Sequence, residues 1–330
     1  MTHLTRRTAI AAAIAATTAL ALPGASLAQD KPVLRFSSVV SENDIRAEAF
    51  AEIAAAVSDT FDFQVFNGAT LVKQGTEMTS IQRGNLEMGL IAPQAIAEQI
   101  PEWSIVTSAY LFSDAAHLKA TFDSEVGDQL KQMAADAGIH VLAPVYFGTR
   151  QVNLAPDKEI MTPEDLSGVT LRMPGGEAWQ FLGEAIGANP TPLAYAEVYT
   201  ALQTGAIDGQ DNPLPNDYNM KFYEVTSQIV LTGHLIGFDV IGIGKELWDS
   251  FSPEQQQTLQ SAVDTAIAKS TQRHLDREAE LVQFFKDQGL KVYEPDRIAF
   301  RDHAQKKYLE SDFAKSWPEG MIEAINALAK

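Results

Sequence analysis

There is no cysteine among the 330 residues, so burial alone holds the fold, and neither disulfides nor thiolate metal sites are available to it. Cations are scarce as well: 25 Lys and Arg stand against 43 Asp and Glu, a formal net charge of −18. That balance excludes nucleic acid as a partner. It also repels anions at long range, so any anionic ligand must be caught by cations placed locally. Beyond the N-terminal segment no apolar run approaches the roughly 20 residues that a membrane span requires. Catalytic signatures are missing too. His117, His140, His234, His274 and His303 show no helical i, i+4 pair and no metal-ligand spacing, so neither a metal nor another cofactor is expected. No Gly-x-Ser-x-Gly elbow occurs, the interval from Gly237 to Gly242 meets Ile243 where a P-loop needs lysine, and Gly242-Ile243-Gly244 lacks the third glycine of a dinucleotide loop. Asp208 and Asp211 form a carboxylate pair, but among 43 acids such a pair carries little weight as acid-base machinery.

The first residues indicate a compartment. Arg6-Arg7 precede an Ala/Thr/Leu run from Ala9 to Leu22, then a Pro-Gly break, then Ser26-Leu27-Ala28 ahead of Gln29. This is the order of a signal peptide, expected to be removed after Ala28 and to deliver a periplasmic product. Thr5-Arg6-Arg7-Thr8 is similar to a twin-arginine signal, although Ala9 stands where a bulky apolar residue is usual, which leaves Sec export open. Loss of that segment takes Arg6 and Arg7 and no acid, leaving 23 cations against 43 acids, or −20.

The remaining chain alternates short β-rich runs with amphipathic helical stretches, an α/β pattern. Val33 to Phe36 and Phe61 to Phe66 are predicted strands, and Ile45 to Val57 and Thr76 to Gln82 predicted helices. Two segments, Ile81-Gln82-Arg83-Gly84 to Gly89 and Leu202-Gln203-Thr204-Gly205 to Gln210, match in register at a separation of 121 residues. Each looks like a helix stopped by a glycine and followed at once by a strand, which suits two lobes built on similar logic. Near the end, Ser252-Pro253-Glu254-Gln255 supplies an N-cap, a proline at the first helical position and a capping-box glutamine. No strong breaker follows until Gly289, so one helix of about 54 Å is predicted over Pro253 to Gln288, with a kink near Ser270-Thr271 as the alternative.

The polar groups that stand out suit binding. Arg172 ends the short apolar strand before Met173-Pro174-Gly175-Gly176, and a guanidinium there can grip a carboxylate bidentately without losing its proton. Val145-Tyr146-Phe147-Gly148-Thr149-Arg150 repeats that logic, so Arg150 is expected at a second strand end, converging with Arg172 on one carboxylate outside the sheet. In Gly205-Ala206-Ile207-Asp208-Gly209-Gln210-Asp211-Asn212-Pro213-Leu214 the glycines allow close approach, and the Asn212 amide at a strand exit can donate and accept at once. A turn-forming role for Asn212 before Pro213 is the alternative.

These segments, Leu171-Arg172-Met173-Pro174 and Gly205 to Pro213, with Arg150 and Thr232-Gly233-His234, together resemble the DctP-like substrate-binding proteins of tripartite ATP-independent periplasmic (TRAP) transporters. The resemblance covers nearly the whole chain after the signal. It implies an α/β, two-lobe periplasmic-binding-protein-like (type II) fold with hinge strands and a long helix spanning both lobes. On that reading residues 29–148 make lobe 1, completed by about 238–275 and part of the tail, and 149–237 make lobe 2, completed by part of 276–330. The resemblance further implies that Arg172 makes the main salt bridge to a small organic acid, that Arg150 and Asn212 assist, and that Tyr195 flanks the ligand. Leu214 and Gln94 are further candidate ligand contacts, and the first-lobe positions Ser37 to Asn43 are expected to set ligand identity. A C4-dicarboxylate, a sugar acid, a 2-oxo or hydroxy acid and a sulfonate all remain open. The expected partners are the ligand and the membrane permease subunits of a TRAP transporter, with the receptor itself a monomer. A periplasmic enzyme using Asp208 or Asp211 as base, and a ligand-binding partner of a sensor protein, are the competing readings.

Overall fold

Two long strands organise the molecule. The computed structural model describes residues 31–329, and the export-signal reading of Met1 to Ala28 lies outside them. The strands are β1 (Val33–Ser37), β2 (Asp62–Phe66), β3 (Met88–Ile91), β4 (Ile139–Leu154), β5 (Thr170–Met173), β6 (Asn189–Pro192), β7 (Gly209–Pro213), β8 (Gln228–Gly244) and β9 (Lys291–Tyr293). They form one sheet in the order β2-β1-β3-β8-β4-β7-β5-β6, with β9 also on β8. β4 and β8 pair antiparallel along nearly their whole lengths. The C-terminal half of β8 pairs with β3, its N-terminal end with β9, and the C-terminal end of β4 with β7. Each long strand therefore passes from one half of the sheet into the other, as hinge strands must.

The crossover is marked by irregular register. The β4–β8 ladder slips between Val141 and Ala143, between Tyr146 and Gly148, and between Arg150 and Val152, the signature of bulges that bend a strand. Gly148 has φ +118, and a Cβ there would stand 2.6 Å from Pro213 Cβ and 2.9 Å from Glu278 Oε1, so no other residue fits. Glu278 spans this bend: its carboxylate accepts from the Tyr146 hydroxyl at 2.5 Å and from the Thr149 N–H at 2.6 Å. Burial raises its pKa despite both donors.

The helix Pro253–Asp287 is continuous over 35 residues, about 52 Å at 1.5 Å per residue, and the kink at Ser270-Thr271 does not occur. Its capping box at Ser252 and Gln255 forms as expected. Leu259, Val263 and Ile267 on its first half pack with Phe36, Phe50 and Ile241. Leu281 and Phe285 on its second half join Leu214, Ile229 and Leu290. One helix thus ties two separate cores together. The two matched segments behave alike: Gly84 and Gly205 carry φ of +70 and +72 as left-handed helix stops, and β3 and β7 follow them. No helix of the described residues is long and apolar enough to cross a membrane.

Candidate functional site

Arg172 is the third residue of β5, between the fully buried Leu171 and Met173, and it is itself 1% exposed. Its Nε donates to the Leu193 carbonyl at 2.8 Å, while its Nη2 is buried without a hydrogen-bond partner. No carboxylate of the described residues forms a salt bridge with it. Burial pushes its pKa down to about 10; Asp211 opposes that shift and Arg150 adds to it. A buried cation with a free donor is costly unless something anionic completes it. The Tyr195 ring lies 5.8 Å below the guanidinium. The Tyr195 hydroxyl accepts from Asn216 at 3.0 Å, and its backbone N–H donates to Gln74 Oε1 at 2.8 Å, a bond that joins residues 121 positions apart.

Arg150 departs from the sequence expectation. It sits inside β4, four residues before its end, because the apolar run continues through Val152 and Leu154. Its charge is already met: Nε and Nη2 reach the Asp211 carboxylate at 2.6 and 2.9 Å, and Nη2 also reaches the Asp211 carbonyl at 2.6 Å. Trp179 stacks on it at 4.7 Å. Burial alone would raise the Asp211 pKa, but Arg150 and His234 outweigh it and hold the carboxyl well below the usual range. His234 reaches Asp211 through Nε2 at 3.1 Å and Thr232 through Nδ1 at 2.8 Å. Asp211 is therefore a fixed counter-ion, and Asp208 accepts from the Thr170 N–H; neither is placed as a catalytic base.

Asn212 lies within β7, opposite Gln151. Its amide donates to Gln210 Oε1, and Gln210 in turn donates to Asp217 Oδ1 at 2.7 Å and Asn153 Oδ1 at 3.2 Å. The turn-capping alternative is not what its side chain does. Burial raises the Asp217 pKa well above normal, and Asp217 anchors the chain of amides that orients Asn212.

Arg172, Arg150, Tyr195 and Asn212 all line one cavity of about 90 Å³ between the two halves of the sheet. Two other candidates do not. Leu214 belongs to the apolar cluster under the long helix, and Gln94 is buried beside the lining residues Ala92 and Ala95 with its own Oε1 unpartnered. The opposite wall carries residues that sequence reasoning missed: Arg46, Glu77, Asp239, Gln74 and Phe147. Arg46 is enclosed by acids, with Nε and Nη2 on Asp44 at 3.0 and 2.9 Å and Nη1 on Asp239 at 3.0 Å, and its plane lies 4.3 Å from the Phe147 ring centre. Burial pushes the Glu77 pKa up to about 7 against the pull of the Gly75 and Glu77 N–H groups, with Asp239 adding to the rise. Burial raises Asp239 as well, in spite of Arg46. Asp239 had a sequence signal, since it is the lone charge in Leu235-Ile236-Gly237-Phe238-Asp239-Val240-Ile241. A larger groove of about 880 Å³ runs along the long helix, but its walls are mainly Ala, Ser, Thr and Gln, with no buried charge to complete.

Comparison with known proteins fits this geometry. The family model described as bacterial extracellular solute-binding protein, family 7 (DctP), matches residues 36–315. The chain is 47% identical to a TRAP periplasmic solute-binding protein of Roseobacter denitrificans solved with bound 3-deoxy-D-manno-oct-2-ulosonic acid (KDO); the match covers 91% of this chain and 100% of that one, at a TM-score of 0.89. It is 35% identical over 226 residues to the sialic acid-binding periplasmic protein SiaP of Vibrio cholerae, covering 68% and 67% of the two chains. Over 302 residues it is 30% identical to the 2,3-diketo-L-gulonate-binding periplasmic protein YiaO of Escherichia coli, covering 89% and 91%.

Proposed function

Because the chain belongs to the bacterial extracellular solute-binding protein family 7, the family of TRAP-transporter solute receptors, we propose that its cargo is a hydroxylated organic acid held by its carboxylate on Arg172. The observation that supports this most directly is the buried Nη2 of Arg172, which has no partner within the protein. A carboxylate between Arg172 and Asn212 would complete that donor and use the second N–H of the Asn212 amide. Tyr195 would supply a face for the ligand, and Arg150, tied to Asp211, would act chiefly by holding Asp211 and Trp179 in place. KDO, sialic acid and 2,3-diketo-L-gulonate, the ligands named for three relatives, are all hydroxylated acids with a single carboxylate. They set the size class from which the search starts.

On this reading the protein binds and releases without catalysis, as a monomer exported by a signal cleaved near Ala28. Its lobes, close to residues 29–148 with 238–275 and 149–237, close about β4 and β8 and present the acid to TRAP membrane subunits. A thermal-shift screen tests the ligand class: KDO, N-acetylneuraminate, aldonates and uronates are expected to raise the melting temperature by mass action. A screen in which none of these acids shifts it, while a neutral sugar or an amine does, would overturn the reading.

A further inference from the structure

We propose that Glu77 and Asp239, on the wall opposite Arg172, set the charge class of the cargo: they accept hydroxyl donors from the ligand's far end and turn away acids with a second carboxylate. This rests on the reading of Arg172 as the carboxylate anchor and extends it to the rest of the ligand.

The cations of the cavity decide how many anionic groups it can hold. Three arginines line it: Arg46, Arg150 and Arg172. Arg150 is bidentate to Asp211, and Arg46 has committed Nε, Nη1 and Nη2 to Asp44 and Asp239. Only Arg172 has a buried N–H without a partner. Of the three, Arg46 and Arg150 are paired with carboxylates of the protein and Arg172 is not, so one ligand carboxylate balances the arginines of the site. A second anion approaching Arg46 would meet the Asp44 and Asp239 carboxylates already paired with it.

The acids point the same way. Glu77 is 3% exposed at the first position of the helix Glu77–Gln82, and Asp239 is buried in β8 beside it. Both line the cavity with Arg172, but from the helix Glu77–Gln82 and from β8, whereas Arg172 stands on β5. Each charge that bears on the Glu77 carboxylate from outside its own backbone is another acid, Asp239. As a carboxylate, Glu77 lines the cavity, accepts a hydroxyl hydrogen and meets a second carboxylate as a like charge in a desolvated space. Selection here is by repulsion at one end as much as by attraction at the other.

Calorimetry with matched acids tests this. L-galactonate and galactarate differ only in a terminal CH2OH against a carboxylate, and D-gluconate and D-glucarate differ in the same way; KDO completes the panel. The wild-type protein is expected to bind its best monocarboxylate at least a hundredfold tighter than either dicarboxylate. Glu77→Gln, which keeps size and removes the charge, is expected to narrow that ratio at least tenfold, with Asp239→Asn doing the same. If Asp239→Asn, which strips Arg46 of a partner, does not fold, Glu77→Gln carries the comparison, with its apo melting curve recorded alongside. Dicarboxylates binding within threefold of their partners, or a ratio unchanged in Glu77→Gln, would overturn the selectivity while leaving the carboxylate receptor standing. No binding of any acid in the panel would instead bring down the anchor reading, and the selectivity with it.

Discussion

The two walls of the cavity are built on opposite electrostatic principles. The wall of β5 and β7 leaves a cation unfinished: Arg172 has one protein acceptor and a buried donor without one. The wall of β8 and the Ile45–Ala56 helix finishes its cation to excess, since Arg46 faces both Asp44 and Asp239. The first arrangement leaves a buried charge uncompensated by the protein, a cost to stability of the kind functional sites commonly carry. The second is an ion network in which two acids share one cation. Two arginines of equal burial can thus have opposite meanings, and the difference lies in the partners each already has.

The sharpest way to break that comparison is to remove each type of arginine. Arg46→Met leaves the Asp44 and Asp239 carboxylates buried without their cation, so apo stability should fall by about 3–5 kcal/mol, read as a drop in denaturant midpoint. Arg172→Met removes a cation that nothing in the protein neutralises. Affinity for the carboxylate ligand should fall about a thousandfold, roughly 4 kcal/mol, with the apo melting temperature equal to or above wild type. A large loss of apo stability in Arg172→Met would erase the distinction between the walls. The milder Arg172→Lys keeps the charge and loses the fork, for an expected drop of more than about tenfold, or 1.4 kcal/mol.

The acidic wall has a pH signature. The Glu77 pKa is raised from its usual 4.5 to about 7, so its contribution to stability is full below pH 4.5 and is lost as pH rises through 7. The shift corresponds to about 3 kcal/mol. Asp217, Asp239 and Glu278 are raised too and act with the same sign. His274, held down at about 4 by burial, works in the opposite sense, removing stability as pH falls from 6.5 toward 4. Apo stability should therefore peak on the acid side of neutrality, and Glu77→Gln should flatten the decline between pH 5 and 8 measured by chemical denaturation. A decline identical to wild type would place the titration elsewhere. The smallest expected effect is at Asn212→Ala: about 1–2 kcal/mol of ligand affinity, and about 1 kcal/mol of apo stability because Gln210 Oε1 loses its donor.

Local signals made much of this legible in the sequence. The helix from Pro253 was written in its capping box and its unbroken apolar stripe, and the matched glycines at 84 and 205 forecast two left-handed helix stops. Arg172 stood out because a cation ending an apolar strand in an acidic chain needs a reason to be there. Arg150 misled for the same cause, since the strand did not end at it and its partner, Asp211, lies on a strand 61 residues away. Leu214 was assigned to the ligand by its place in a motif, but the first turn of its helix points it into the core under Leu281 and Phe285. Arg46, Glu77 and Asp239 come from three separate segments, and only the closing of β8 against β3 and β4 brings them to one surface. No periodicity or spacing along the chain encodes that meeting.

The unfinished hydrogen-bonding of Arg172 also bears on how the receptor reports its own occupancy. When the two halves come together without an acid between them, a guanidinium is sealed away from water with nothing to replace it. A deficit of about 3 kcal/mol on that account would hold the closed, cargo-free form to less than about one molecule in a hundred relative to the open one. A membrane partner that recognises the closed outline would then count loaded receptors almost exclusively, because the arginine proposed to grip the cargo would also make closing without it self-defeating.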